Sequence, residues 1–268
     1  MDKPFNNMEP TPPIPEPQSP EPTAPAMSLA GRLMNVFAAP GEVFDEIKAA
    51  PPRVANWLIP VLAVAVIGVI SVCIMFAQPA IRQTIHEQQV KALDQRVQQG
   101  KMTQAQEDQT LQMMDRFMGP TILAVGGSVT MVIYSFISVF WWALVLWLLG
   151  RWFLKAQFGY LKAVEVAGLA SIILILGLVI GTLLTVILGR LYAGPSLALL
   201  VSDFDPTKRL HLLLGAANVI YFWHAGVLGL GLAKLSATPA IKAATIVFSY
   251  WVLAELLLIA VGLGQWTL

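Results

Sequence analysis

The residues best placed for chemistry are polar side chains inside otherwise apolar segments. Glu255 lies in the last apolar run, and the run before it contains Asn218, Tyr221 and His224. Two antiparallel helices joined at residues 234–242, each rising about 1.5 Å per residue, would bring Glu255 level with Tyr221. A charged carboxylate at the bilayer centre costs about 2.5–3.5 kcal/mol on insertion scales, so Glu255 needs a partner or a proton.

Two interpretations of this cluster follow. In the first, Glu255 is neutral or hydrogen-bonded and forms a structural clasp between two helices, with His224 or Asn218 one turn away. In the second, the cluster is a proton or ion site in a small transporter or channel. A transport path would be expected to contain more ionisable groups than a single carboxylate, so the pattern favours the structural clasp. A water-filled cavity that reaches Glu255 would favour transport.

Other reactive chemistry is missing from the sequence. It contains no phosphate-binding glycine loop, no paired-cysteine or HExxH metal motif and no nucleophile elbow. The single cysteine, Cys73, cannot form an internal disulfide or a cysteine cluster for zinc. A net charge of +1 without a basic patch argues against nucleic-acid binding. We therefore expect no enzyme, no catalytic residues, no cofactor, no metal and no nucleic-acid partner.

The composition indicates where the polar cluster must sit. Hydrophobic residues make up 56% of the 268-residue chain and charged residues 12%, whereas soluble domains average about 25% charged. Five runs reach the length of about 20 residues that a bilayer requires. They are 57–78, 118–150, 166–188, 212–233 and 243–264. We predict an all-α integral membrane protein whose residues 51–268 form a five-helix transmembrane bundle.

Two segments precede the first span. Residues 1–27 hold nine of the eighteen prolines, which predicts a disordered tail that is either a docking peptide or a solvated tether. Residues 28–50 predict two amphipathic helices, the first capped by Ser28 and the second begun by Pro40. Their pattern places Arg32 on the polar side. These helices would either lie on the membrane surface or cap the bundle.

A polar segment separates the first and second spans. Apolar residues recur at helical spacing through residues 79–117, interrupted by Gly100. Thr103 and Gln106 have the spacing of a capping box that opens a second helix. We predict an extramembrane helical hairpin, serving either as a surface for partners or oligomerisation or as a self-packed solvated element.

Small residues and short charged connections complete the pattern. Two pairs of glycines in the spans predict close packing between helices of the same chain in preference to a dimer contact. They are Gly177 with Gly181 and Gly226 with Gly229. The connections 151–162 and 234–242 carry basic residues and no acidic ones, which predicts a cytoplasmic N-terminus and a C-terminus outside.

One acidic residue lies just beyond the first of these basic connections. Glu165 follows Lys162 by three residues, which predicts a local ion pair at the cytoplasmic edge.

Several short stretches resemble bacterial members of the Yip family (Ypt/Rab-interacting proteins, the "Yip-one" domain). They are LAGRL at 29–33, APGEVF at 39–44, GYLKA at 159–163, the segment 223–235 and PAIKA at 239–243. The resemblance covers roughly residues 28–264. It implies five spans, the bacterial cytoplasmic (inner) membrane and a non-enzymatic protein that organises membrane or partner proteins.

The sequence departs from the eukaryotic members of that family at one motif. Their Asp-Leu-Tyr-Gly-Pro motif is absent before the first span, and residues 191–195 read LYAGP, with an extra alanine. Small-GTPase binding and vesicle traffic are therefore not implied. We expect a membrane scaffold or adaptor whose partners are the lipid bilayer, membrane or cytoplasmic proteins and a second copy of itself. A small transporter or channel using Glu255 is the alternative.

Overall fold

A computed structural model describes residues 27–117 and 119–264. Within them, the secondary structure comprises ten α-helices and a short 3-10 helix at Leu197–Leu200, without strands. The helices are α1 (Leu29–Ala38), α2 (Pro40–Ala49), α3 (Ala55–Ala77), α4 (Pro79–Gln98), α5 (Gln104–Phe117), α6 (Pro120–Phe153), α7 (Tyr160–Leu188), α8 (Arg209–Ala216), α9 (Val219–Ser236) and α10 (Ala240–Ala260). The predicted all-α fold is confirmed. The predicted proline-rich tail lies outside the described residues.

Five helices are long and apolar enough to cross a bilayer: α3, α6, α7, α9 and α10. A helix satisfies its own backbone hydrogen bonds, which hydrocarbon cannot do. The outward faces carry large exposed apolar side chains such as Ile137, Leu183 and Ile187. These faces are the lipid-contacting surface of the bundle.

The core of the bundle forms around α7, which packs against α3, α6 and α9. Two glycines allow the closest approaches. A side chain at Gly168 would collide with the backbone of Trp57, and one at Gly231 would collide with Val166. Close contact of this kind replaces the water-driven association that is missing in a membrane.

Helices α1 and α2 cap one end of the bundle, which we call the N-terminal face. The Ser28 hydroxyl accepts a hydrogen bond from the Gly31 amide at 3.1 Å, as the capping pattern predicted. Val36, Val43 and Phe44 are fully buried, and α2 packs on α9. Helices α1 and α2 therefore pack on the end of the bundle, and their position relative to the membrane surface stays a prediction.

Helices α4 and α5 form a hairpin at the opposite end, which we call the hairpin face. Gly100 has the positive φ of 67° that ends α4. The Thr103 hydroxyl accepts from the Gln106 amide at 3.3 Å, and the Gln106 side chain accepts from the Thr103 amide at 3.0 Å. The predicted capping box is confirmed.

The fourth span differs from the sequence prediction. A single helix was expected from residue 212, but α8 ends at Ala216 and α9 begins only at Val219. At the break, Leu197 N donates to Ala217 O at 3.2 Å, and Val219 N donates to Pro195 O at 3.1 Å. The chain between the two helices therefore satisfies its backbone against the preceding connection, and the helix need not continue.

Candidate functional site

The polar residues predicted inside the membrane are only partly brought together. Glu255, half-buried on α10, interacts electrostatically with Tyr221 of α9 and Tyr134 of α6. The antiparallel register therefore places Glu255 and Tyr221 side by side. Tyr134 was not among the predicted members, because its helix is distant in sequence and nothing in its local pattern marks it.

The other two predicted members of the cluster have different partners. His224 is buried, and its ring meets that of Trp142 edge to face at 5.8 Å. Asn218 caps α9, where its Oδ1 accepts from the Ile220 amide at 2.9 Å. Its side chain is thus a helix cap at the break in the fourth span rather than a group on a continuous helix.

A cavity of about 270 Å³ lies beside this cluster, enclosed by α3, α6, α7 and the start of α9. Tyr134, Tyr221 and Asn218 line the cavity, and Glu255 is not among its lining residues. The lining contains no charged side chain but is rich in hydroxyls: Ser71, Ser135, Ser138, Ser171, Thr182 and Thr185. We call it the hydroxyl cavity.

Three of these six hydroxyl groups donate within their own helices, and Thr185 donates to Ala193 O in the following connection. Ser135 donates to Met131 O at 2.8 Å, and Ser171 donates to Gly168 O at 2.7 Å. Thr182 bonds in the same way within α7. Since these three protons are already engaged, an apolar group beside them leaves none of the three unpaired.

A second polar site lies at the N-terminal face, and the sequence predicted only one of its contacts, the Lys162–Glu165 ion pair. Arg32 of α1 is 2% exposed. Its Nη2 lies 2.7 Å from Glu46 Oε1, and its Nη1 donates to Asn56 Oδ1 at 2.8 Å. The expectation that Arg32 lies on the polar, outward side is wrong. Arg32 precedes Val36 by one helical turn, so both point into the cap, where the guanidinium is paired.

The same network continues into α7. Asn56 Nδ2 donates to Glu165 Oε1 at 2.6 Å, and the Arg53 amide donates to the same oxygen at 2.9 Å. Lys162 Nζ lies 3.2 Å from Glu165 Oε2, which confirms the predicted local ion pair. Lys162 also donates to the carbonyls of Ile47 and Ala50 at the end of α2. We call this set the cap network: Arg32, Glu46, Asn56, Lys162 and Glu165.

The predicted packing glycines have unequal surroundings. A Cβ at Gly229 would lie 2.7 Å from Ala244 Cα, and one at Gly177 would lie 3.2 Å from Ile220 Cγ2. Gly181 has only Ala193 O at 4.0 Å. Gly226 has nothing within 4 Å, so it makes no close helix contact within the chain. Spacing alone could not distinguish the side of α9 that faces a helix from the side that does not.

No cluster of three or more histidine, cysteine, aspartate or glutamate side chains suited to a metal ion occurs among the described residues. The polar groups of the hydroxyl cavity and the cap network are thus hydroxyls, amides and paired charges. They can hold helices together or contact a ligand by hydrogen bonds.

Comparison with known proteins matches residues 34–263 to the model of the Yip1 domain family. No curated protein and no solved structure matches the chain. The family match spans most of the chain and contains all five candidate spans. The protein is a multi-pass integral membrane protein that belongs to the Yip1 domain family.

Proposed function

We propose that this protein is a non-enzymatic membrane scaffold or adaptor that presents the α4–α5 hairpin to a partner protein. One observation carries the proposal. The two hairpin helices pack on each other, and α4 joins the bundle mainly where it continues from α3. The hairpin therefore makes few contacts with the spans apart from α3, although α4 also contacts the connection 189–208 through Gln88 and Tyr192, and most of its polar side chains are exposed.

The surface of the hairpin also supports a docking role. Met113 on α5 is 56% exposed among polar neighbours. An exposed apolar side chain on a polar, rigid helix pair is suited to anchor a protein contact. The family match supports a role in organising membrane proteins and leaves the partner to be identified.

Site-specific photo-crosslinking in native membranes tests this proposal. A photoreactive residue at Met113 should give one reproducible protein adduct, whereas the same residue at Ile187 on the lipid-facing surface of α7 should give lipid adducts. Replacing the exposed Gln109, one turn before Met113, by glutamate should weaken the Met113 adduct. If Met113 captures no protein in membranes from growing cells, the hairpin is not a docking surface.

We further propose that the N-terminal face lies in the cytoplasm of a bacterial cell and that the protein is in the cytoplasmic membrane. The basic connections 151–162 and 234–242 lie at this face, as the positive-inside rule favours. In a Cys73→Ser background, a cysteine replacing Lys155 should react with an impermeant maleimide only after cells are opened. A cysteine replacing Lys101 should react in intact cells, and the reverse pattern would invert the topology.

A transporter or channel is the alternative. It is favoured by the interrupted fourth span, since Asn218 at the break lines the hydroxyl cavity and broken helices border substrate sites in many transporters. It requires that Glu255→Gln abolish a proton-coupled flux in reconstituted vesicles. Full retention of flux in that variant would exclude Glu255 as the coupling group.

A further inference from the structure

The hydroxyl cavity adjoins a second cavity of about 450 Å³ at the hairpin face. One wall of the second cavity is α4, and the other is the connection 189–208. Both cavities are lined by the same five residues of that connection: Leu191, Tyr192, Ala193, Ala198 and Phe204. The two volumes are therefore neighbours, with the paired rings of Tyr192 and Phe204, 4.8 Å apart, between them.

The second cavity has the opposite chemistry to the first, and we call it the polar groove. Its lining includes three acidic and three basic residues: Glu87, Asp203, Asp205, Lys91, Arg190 and Lys208. The hydroxyl cavity has no charged residue in its lining. A balanced set of charges thus lies directly beside an uncharged volume.

The groove is held together by specific contacts. The Tyr192 hydroxyl donates to the Gln88 side chain at 3.3 Å, which ties the connection to α4. The Thr207 hydroxyl donates to Asp205 Oδ1 at 2.6 Å, and this hydrogen bond lowers the pKa of Asp205. Asp205 therefore stays anionic at neutral pH, and the negative part of the groove persists.

We propose that the two cavities form one binding site for a zwitterionic phospholipid, with an acyl chain in the hydroxyl cavity and the headgroup in the polar groove. A headgroup with both a phosphate and an ammonium can pair with the basic and the acidic residues together. A purely anionic headgroup would meet three carboxylates. A neutral ligand would pair with neither set and would leave internal pairs such as Lys208–Asp205, at 4.0 Å, as they are.

The bilayer can supply this ligand directly. Tyr134 lines the hydroxyl cavity and is also 54% exposed on the lipid-facing side of α6. Tyr134 alone therefore separates the cavity from the surrounding bilayer at this point, and a rotation of its side chain would admit an acyl chain. The site does not depend on the proposed adaptor role, since it lies within the spans and the inner side of α4.

A pair of glycine variants separates this site from ordinary lipid contact. Gly181 lines the hydroxyl cavity, and a Cβ there would meet only Ala193 O at 4.0 Å. Gly181→Leu should therefore fill the cavity without striking the backbone. Gly226→Leu is the matched control, because Gly226 is also in a span, has open space around it and is not among the cavity residues.

The assay is native mass spectrometry of the full chain in detergent, titrated separately with dioleoyl-phosphatidylethanolamine and dioleoyl-phosphatidylglycerol. We expect one tightly retained phosphatidylethanolamine on the wild type and on Gly226→Leu. Gly181→Leu should bind it roughly tenfold more weakly, because a displaced pair of methylenes is worth about that much. Phosphatidylglycerol should bind more weakly than phosphatidylethanolamine to the wild type.

A variant in the polar groove, where the headgroup would bind, keeps the test valid if Gly181→Leu fails to fold. Lys91→Gln removes a charge from the groove, and Lys101→Gln removes one from the hairpin turn outside it. Only Lys91→Gln should weaken phosphatidylethanolamine retention. Equal retention by all four variants would show annular lipid only, and preference for phosphatidylglycerol would overturn the zwitterionic assignment.

Discussion

Replacing Glu165 by alanine should release the N-terminal cap from the membrane bundle. Glu165 is 1% exposed and accepts hydrogen bonds from Asn56 and the Arg53 amide, while pairing with Lys162. Its removal leaves the Asn56 side chain and the Arg53 amide without their acceptor and Lys162 without its counter-charge. These groups belong to the start of α3 and to α7, so the loss occurs where the cap meets the spans.

The size of the effect follows from what is left behind. Removing one partner from a buried ion pair costs about 3–5 kcal/mol, because the other charge remains desolvated. At about 1.4 kcal/mol per tenfold, this cost raises the population of the opened cap roughly 100-fold to a few thousand-fold. The spans themselves should stay folded, since their core around α7 does not depend on Glu165 alone.

Hydrogen exchange measured by mass spectrometry on the protein in nanodiscs can detect this opening. Peptides covering α1 and α2 should lose protection by about two to three orders of magnitude, while peptides from α9 should change little. Glu42→Ala is the matched control, because Glu42 is an exposed glutamate in α2. Loss of its interaction with the helix dipole should change exchange by no more than about fivefold.

Two results would refute the reasoning. If Glu165→Ala leaves the protection of α1 and α2 within about threefold of wild type, the cap network does not hold the cap. If Glu42→Ala opens the cap equally, the effect comes from general loss of negative charge. In the first case the buried contacts of Val36, Val43 and Phe44 would have to be sufficient by themselves.

Two further predictions concern glycine packing and the hairpin. Gly229→Ala should lower thermal stability by about 1–3 kcal/mol, since its Cβ would lie 2.7 Å from Ala244 Cα. Gly226→Ala should be neutral or stabilising by up to about 1 kcal/mol in the same melts. In the hairpin, a hydrogen bond with the Asp94 carboxyl raises the pKa of Glu107. The contribution of this hydrogen bond to the stability of the hairpin is present at pH below the ordinary glutamate pKa and is lost as pH rises through the raised value. Hydrogen exchange in the hairpin should therefore accelerate over that pH window. Glu107→Gln should remove this pH dependence.

Local patterns predicted local structure well. Ser28, Gly100 and the Thr103–Gln106 pair each act within four residues along the chain, and each has the predicted geometry. The register of Glu255 beside Tyr221 could also be counted, because a short connection joins their helices. In all these cases the distance along the chain fixes the distance in space.

The remaining features depend on neighbours that no local pattern specifies. The break before Val219 exists because residues 195–197 satisfy its backbone, and those residues come from another connection. Arginine is a residue type typical of the protein surface, yet the hydrogen bonds of Arg32 with Glu46 and Asn56 make its burial favourable. Neither partner can be identified from the sequence around Arg32. Tertiary pairing overrides local polarity at these positions.

The two ends of the bundle satisfy their buried polar groups in different ways, and this difference has a mechanical consequence. The cap network joins α1, α2, α3 and α7 through side chains, so moving any one helix breaks bonds to the others. Around the hydroxyl cavity, Ser135, Ser171 and Thr182 bond to carbonyls of their own helices. Separating the helices there leaves those bonds intact, and the bonds that Thr185 and Val219 make, to Ala193 O and Pro195 O, run to the connection between the spans and not from helix to helix. The N-terminal half is therefore the more tightly cross-linked, and we expect the proposed lipid to enter the hairpin half without disturbing it.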